Sequence, residues 1–294
     1  MNASARQRLR IAARVAEELL TTHPDAEVWL EGALACGYAH AASDIDLRLL
    51  GDGPGLPCPV SWMVEDVRID VQVSSPSEVD ELRALLGRFD LGQNDLGLFR
   101  LVRMQLAELT ALRTALSYQH GQWFPVADAE EREVYRAWAV ADRAESVASL
   151  TEDLIGLVED RLHASAAIVW QRLCLVLLSA ECAAAGMPVL GDKWLPLMAR
   201  EPWPPAPTPN WTDETWSWFI PVQRRLTRVL LACHPVTSGL SEPASPVQSR
   251  FASQAGWLPQ YYPDGWFLRR ADQHVPVPPQ TLLSWSCHLD ATST

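Results

Sequence analysis

Three features of the sequence predict an α+β fold. Short apolar, strand-like segments follow an opening helix, long helical periodicity takes over at Asp128, and the stretch 164–186 is apolar nearly all round. The expected organisation is an N-terminal domain over 1–125, built on a small mixed sheet, and an α-helical bundle domain over 126–294. At 294 residues the chain has the length for one large or two ordinary domains.

Taken in order, Leu9, Ala12, Ala13, Ala16, Leu19 and Leu20 recur at helical spacing and stop before His23-Pro24-Asp25, which predicts an amphipathic helix over 5–21. Strands are expected at Glu27–Glu31, Ile45–Leu50, Val60–Val64 and Val67–Val73, with Gly51-Asp52-Gly53-Pro54-Gly55 as the break between the second and third. Helical patterns return after Pro76 and run to about residue 118. From Asp128 the helices lengthen, and Glu130, Glu131 and Glu133 sit where a helix N-terminus favours negative charge. The 164–186 stretch suits the central helix of a bundle, ended by Gly186 and Pro188, and is too short and polar-interrupted to favour a membrane. Residues 202–209, PWPPAPTP, predict an extended connector, followed by a helix over about 212–232 kinked at Pro221. The tail from about 235, with Trp257, Tyr261, Tyr262, Trp266 and Phe267, is expected to be irregular and packed on the helical part.

Composition narrows the function. With 48% apolar and 20% charged residues the chain belongs with folded soluble proteins. A net charge of −12 without a basic run argues against a polymeric nucleic-acid partner and is easier to reconcile with a cationic acceptor or a metal–nucleotide complex. The cysteines at 36, 58, 174, 182, 233 and 287 form no C-x-x-C pair and are expected to be reduced, mostly buried thiols of a cytoplasmic protein. No uninterrupted apolar h-region opens the chain and no run of about 18 apolar residues occurs, which argues against secretion and membrane spanning. Lys193 is the single Lys among 24 basic residues. Codon bias toward Arg explains the rest and leaves this one to be explained.

The chemistry is concentrated in Val28-Trp29-Leu30-Glu31-Gly32-Ala33, Ser43-Asp44-Ile45-Asp46-Leu47 and Val67-Arg68-Ile69-Asp70-Val71-Gln72-Val73. Alternate residues of a strand share a face, so Asp44 and Asp46 project together while Ile45 and Leu47 enter the core. Two adjacent carboxylates repel unless a cation lies between them, and hard oxygen donors suit Mg²⁺. Asp70, flanked by Ile69 and Val71, reaches the same place if its strand pairs with theirs. Three carboxylates on one sheet surface after a glycine turn form a phosphoryl-transfer pattern.

On these residues the sequence resembles the nucleotidyltransferase superfamily of the DNA polymerase β type. The shared pattern is a hydrophobic residue and Gly, a spacer of ten residues, acid-hydrophobic-acid, and a later acid on a strand, here Leu30-Glu31-Gly32-Ala33, Asp44-Ile45-Asp46 and Asp70. Gly32-Ala33-Leu34-Ala35-Cys36-Gly37 followed by Ser43-Asp44-Ile45-Asp46-Leu47 looks most like the small bacterial members, and the match covers residues 25–75. It departs from them at Ala33, where a Ser or Gly is usual, and at Cys36, where Arg is common.

The resemblance implies that Asp44, Asp46 and Asp70 bind Mg²⁺, that Asp70 helps to deprotonate an acceptor hydroxyl, and that Gly32, Ala33 and Ser43 of the turn contact the nucleotide. Gly191-Asp192-Lys193-Trp194-Leu195-Pro196 resembles the stretch by which a helical C-terminal domain of such enzymes sends a Lys to the triphosphate, which implies a triphosphate ligand in Lys193 and an active site in the cleft between the domains. The implied reaction moves an NMP from an NTP such as ATP to a hydroxyl, releasing pyrophosphate. The aminoglycoside nucleotidyltransferases share this acidic layout, so a small cationic metabolite or antibiotic is the first choice of acceptor. The alternatives are a toxin-like enzyme acting on tRNA or protein and a degenerate nucleotide-binding non-enzyme. His40 is read as a solvated loop residue, Arg48 and Arg68 as balancing the acids, and the Trp-rich segment 203–218 as an anchor of the connector.

Overall fold

A computed structural model describes residues 3–52, 60–88, 105, 108–188, 190–199, 207–213, 215–236, 256–271 and 273–291. Gly53–Gly55 of the expected break, Cys58, residues 202–206 of the connector and 237–255 of the tail lie outside the described residues. The chain is mixed α/β and forms two compact units, whose described residues run up to Tyr135 in the first and from Arg136 in the second. The division thus falls inside the helix Ala129–Glu159, which begins where the change of pattern at Asp128 was expected.

The first unit opens with α1 (Ala3–Thr22), whose stripe Ala5, Ile11, Ala12, Val15 and Ala16 is buried. Strands β1 (Glu27–Glu31), β2 (Ile45–Leu50), β3 (Val60–Val64) and β4 (Val67–Ser74) follow, with the short α2 (Gly32–Ala35) between β1 and β2. Then come α3 (Pro76–Arg88), helical residues 108–114 (α4), and a hairpin of β5 (Leu116–Gln119) and β6 (Gln122–Pro125). The six strands make one sheet in the order β3-β4-β2-β1-β5-β6, in which β2 and β4 are parallel and all other neighbours antiparallel. The hairpin corrects the expected helix to residue 118. Its signal is the turn His120-Gly121, where both residues have positive φ (49° and 82°) and bring Tyr118 against Trp123.

Period-two alternation sorts the sheet's two faces. Val28, Leu30, Ile45, Leu47, Leu49, Ile69 and Val71 bury against α1, and Trp29 and Leu50 on the reverse face pack with Val79 of α3, Leu112 and Ala115. The start of α3 is closed by a reciprocal cap, in which the Ser75 N–H donates to Glu78 Oε2 at 2.8 Å and the Glu78 N–H to Ser75 Oγ at 3.2 Å. The same device, Asp128 with Glu131, opens α5 (Ala129–Glu159), so the acidic run seen in the sequence marks a true helix start.

The second unit takes the rest of α5 with α6 (His163–Ala184), α7 (Leu195–Met198), α8 (Ile220–Cys233), a three-stranded antiparallel sheet of β7 (Leu258–Tyr262), β8 (Gly265–Arg270) and β9 (Gln273–Pro276), and α9 (Pro279–Ala291). It is therefore helical with an added sheet, and the described tail is regular where an irregular one was expected. Its many prolines hide the strand pattern from sequence, but Gln260 donates to the Ala144 carbonyl at 3.2 Å and Tyr262 to Glu145 at 2.9 Å, tying β7 to α5. Pro221 does not kink a helix. A 3₁₀ turn, Ser217–Phe219, precedes α8, and Pro221 occupies its first turn, where the lost N–H has no helical partner anyway. Trp170 of α6 donates to the Pro207 carbonyl at 3.0 Å and meets Trp211 and Trp218 edge-on, the anchoring expected of the Trp-rich segment. By length and composition α6 could cross a membrane, yet half of its most apolar eighteen residues is buried, as in a core helix.

Candidate metal centre

The parallel register of β2 with β4 decides the site. It places Asp46 beside Asp70, while β1 places Glu31 beside Asp46 and β3 places Ser61 beside Asp70, so that Ser61, Asp70, Asp46 and Glu31 form one row across four strands. Asp44 precedes β2 by one residue and projects to the same face. A ligand oxygen from each of Asp44, Asp46 and Asp70 lies within 4.8 Å of the others, and the cluster can hold a metal ion. Three hard anionic donors at that separation, on a half-buried sheet surface, suit a hard cation.

An arginine stands on either side of this row. On β2, Arg48 follows Asp46 by two residues and is buried, donating from Nε to Glu31 Oε1 at 2.6 Å, from Nη2 to Glu31 Oε2 at 3.2 Å and Glu108 Oε2 at 2.7 Å, and from Nη1 to Ser74 Oγ at 2.7 Å. Arg48 thus balances Glu31 and Glu108, not the aspartates, contrary to the expectation from face-sharing alone. On β4, Arg68 precedes Asp70 by two residues and grips both its oxygens, with Nε at 3.0 and 2.8 Å and Nη2 at 2.5 Å, and comes within 3.8 Å of Asp44. Ser61 Oγ adds a hydrogen bond to Asp70 Oδ1. Arg68 does balance the acids.

Asp46, between the two, accepts no hydrogen bond from a described residue. Burial, with Asp44, Asp70 and Glu31 close by, pushes its carboxyl up to about 6, against a smaller opposing pull from Arg68. Asp70 moves the other way, held below the usual carboxylate range by its hydrogen bonds from Arg68. Burial raises Glu31 despite Arg48.

Gly32 explains the turn before the site. Its φ is +65°, and a Cβ there would collide with Asp46 Oδ2, so only glycine lets the backbone pass so close to this carboxylate. Ala33 follows in α2, where the first N–H groups have no intrahelical partner. Ser43 is buried, its hydroxyl accepting the His40 N–H at 2.9 Å, which commits it to the loop's own structure. Cys36 is a half-buried thiol pushed up to about 11, with burial the main cause and Thr114 and Arg113 opposing, and so is neutral at ordinary pH. Among the described cysteines Cys174 and Cys182 are buried and Cys287 is exposed, and all are free thiols. His40 is exposed, with Nδ1 accepting the Ala42 N–H at 3.1 Å.

The structure therefore brings Gly32, Asp44, Asp46 and Asp70 together in the first unit. Lys193 lies in the second, exposed on the 3₁₀ turn Asp192–Trp194 with Nζ 5.1 Å from the centre of the Trp194 ring. Sequence reasoning missed Glu31, Ser61 and Glu108, and it missed Arg8. Arg8 is buried on α1 and donates from Nε to the Ser43 carbonyl at 2.7 Å and from Nη2 to the Ala41 carbonyl at 2.5 Å, pinning the loop that delivers Asp44. The signal was present, since Arg8 falls in phase with Ala5, Ala12 and Val15 on the buried stripe.

The chain matches no family model, and no curated protein matches it in sequence.

Proposed function

We propose that the chain is a divalent-metal-dependent nucleotidyltransferase that moves an NMP from an NTP to a hydroxyl of a small cationic metabolite or antibiotic, releasing pyrophosphate. The observation that carries this reading is Asp46, which accepts no hydrogen bond from a described residue, lies beside Asp70 in the sheet row with Asp44 close by, and packs against the Gly32 turn. Asp44, Asp46 and Asp70 would hold Mg²⁺, which when bound neutralises phosphate charge as the phosphoryl group is transferred. The Gly32 backbone passes close to Asp46, and the N–H groups of the Gly32-Ala33 turn would hold phosphate oxygens without needing the missing hydroxyl at position 33. Asp70 is assigned the acceptor's proton, which its Oδ atoms can take once Arg68 no longer occupies them. The net charge of −12 supports a cationic acceptor over a nucleic acid.

Pyrophosphate release from each NTP, measured with Mg²⁺ against a panel of aminated acceptors, tests the proposal. Asp44→Asn and Asp46→Asn are expected to abolish turnover with the fold intact, and full activity in both would sink the assignment. Lys193→Arg is expected to weaken NTP binding although the charge is kept, since a planar fork does not replace a compact ammonium on phosphate. Unchanged nucleotide affinity would leave Lys193 without a part in nucleotide binding. Tight NTP binding with no pyrophosphate from any acceptor would show a nucleotide sensor instead.

A further inference from the structure

Three carboxylates whose oxygens lie within 4.8 Å of one another repel strongly, so the metal-free protein needs a positive charge among them. Among the described residues Arg68 supplies it, being the cation in ionic contact with Asp70 and Asp44, while the neighbouring Arg48 is turned to Glu31 and Glu108. The contact is specific for an exposed pair. Spacing of two residues on one strand puts Arg68 and Asp70 on the same face, the guanidinium meets both carboxylate oxygens, and Ser61 from the edge strand fixes one of them. The lone pairs of Asp70 that would face a metal are therefore filled by protein donors, whereas those of Asp46 accept nothing from a described residue.

We propose that Arg68 is the site's built-in counter-ion, which holds Asp70 in the metal-free protein and gives it up when a divalent cation binds. The inference rests on the metal site proposed above. A dication and a guanidinium cannot share the oxygens of one carboxylate, because their repulsion at such distances is large and the lone pairs are the same ones. Arg68 has somewhere to go, since its side chain is 60% exposed on a flexible stem. Asp46 is then the open member of the ligand set and Asp70 its guarded one, and cation binding completes the set by taking the oxygens that Arg68 gives up. The released guanidinium remains beside the carboxylates, where polyphosphate would need a cation.

Mn²⁺ binding to the full chain at neutral pH, read from the electron paramagnetic resonance of free Mn²⁺, tests the competition without any turnover. Arg68→Met is expected to tighten Mn²⁺ binding about tenfold, the scale of one charge-assisted pair removed. Arg68→Lys, which keeps the charge and loses the fork, is expected between Met and wild type. Arg14→Met, which removes an equal charge paired elsewhere with Glu65 at 2.7 Å, is expected to change nothing. The decisive comparison is a cycle with Asp70→Asn, in which the effect of Arg68→Met disappears if it acts through Asp70. Equal tightening in both backgrounds would reduce Arg68 to a diffuse field and overturn the proposal, as would unchanged or weakened binding by Arg68→Met. If wild type and variants alike bind no Mn²⁺, the metal site itself falls and the proposal with it.

Discussion

Arg48 and Arg68 bracket the same row of carboxylates from opposite sides, and each holds one end member, yet they are placed in different solvents. The Arg48 and Glu31 side chains are 9% and 8% exposed, whereas Arg68 is 60% and Asp70 20% exposed. A charge taken out of water must keep its partner, so Arg48 and Glu31 are locked to each other and to the fold. An exposed pair exchanges readily with water and with other ions, so Arg68 and Asp70 can part at little cost. The row thus has a fixed end, an exchangeable end, and Asp46 between them with no donor from a described residue. That gradient, not the mere number of acids, is what suits the surface to binding a cation reversibly.

Breaking the fixed end is expected to have the largest effect on stability. Arg48→Met leaves Glu31 buried without its partner and should cost about 3–5 kcal/mol, seen as a lower urea midpoint with an unchanged slope. The double variant Arg48→Met with Glu31→Leu removes both charges, and replacement of a buried pair by apolar groups is often neutral, so most of the loss should return. A loss under about 1 kcal/mol in the single variant would mean that the pair behaves as a surface one, and the contrast with Arg68 would collapse.

How much of this was legible beforehand follows from which signals are local. The four strands β1 to β4 and the shared face of Asp44, Asp46 and Asp70 followed from period-two alternation and from the acid-hydrophobic-acid spacing. The partner of Arg48 did not, because face-sharing along one strand says nothing of the neighbouring strand, and only the β1–β2 register brings Glu31 beside Asp46 and within reach of Arg48. The β5–β6 hairpin was hidden by helical periodicity running up to it, although His120-Gly121 is a turn signal. Ser61 and Glu108 reach the row only through pairing and packing between segments far apart in the chain. The β7–β9 sheet was obscured by its prolines, two of which, Pro259 and Pro276, lie within strands of the sheet.

The middle of the row is expected to report by pH. Asp46 is raised to about 6 in the folded protein, above the usual carboxylate value of about 4 in the unfolded chain. The folded state therefore binds its proton more tightly, and the resulting stability is fully present below about 4 and lost as pH rises through about 6. In the presence of a chelator, Asp46→Asn should accordingly stabilise the protein at neutral pH and leave it nearly unchanged near pH 4. Divalent-cation affinity should fall about tenfold per unit as pH drops below about 6, since the cation must displace the proton. Thermal melts in chelator and Mn²⁺ titrations across this range check both, and a flat profile would show that Asp46 ionises normally and that the row lacks its unpaired member.

The exchangeable end is expected to give the smallest effect, and its sign and screening distinguish it from the rest. Asp70 is held below the ordinary carboxylate value, so its contribution is present above that value and lost as pH falls, the reverse of Asp46. Because the pair with Arg68 faces solvent, ions compete for it, and at about 1 M salt the screening length shrinks to about 3 Å. Chelated Arg68→Met should therefore melt slightly below wild type at low salt and together with it at high salt, while the loss in Arg48→Met persists at both. Melts at two salt concentrations read the difference directly. A salt-insensitive deficit in Arg68→Met would place that pair in the same protected environment as Arg48 and Glu31, and an arginine so protected could not yield its carboxylate to a cation.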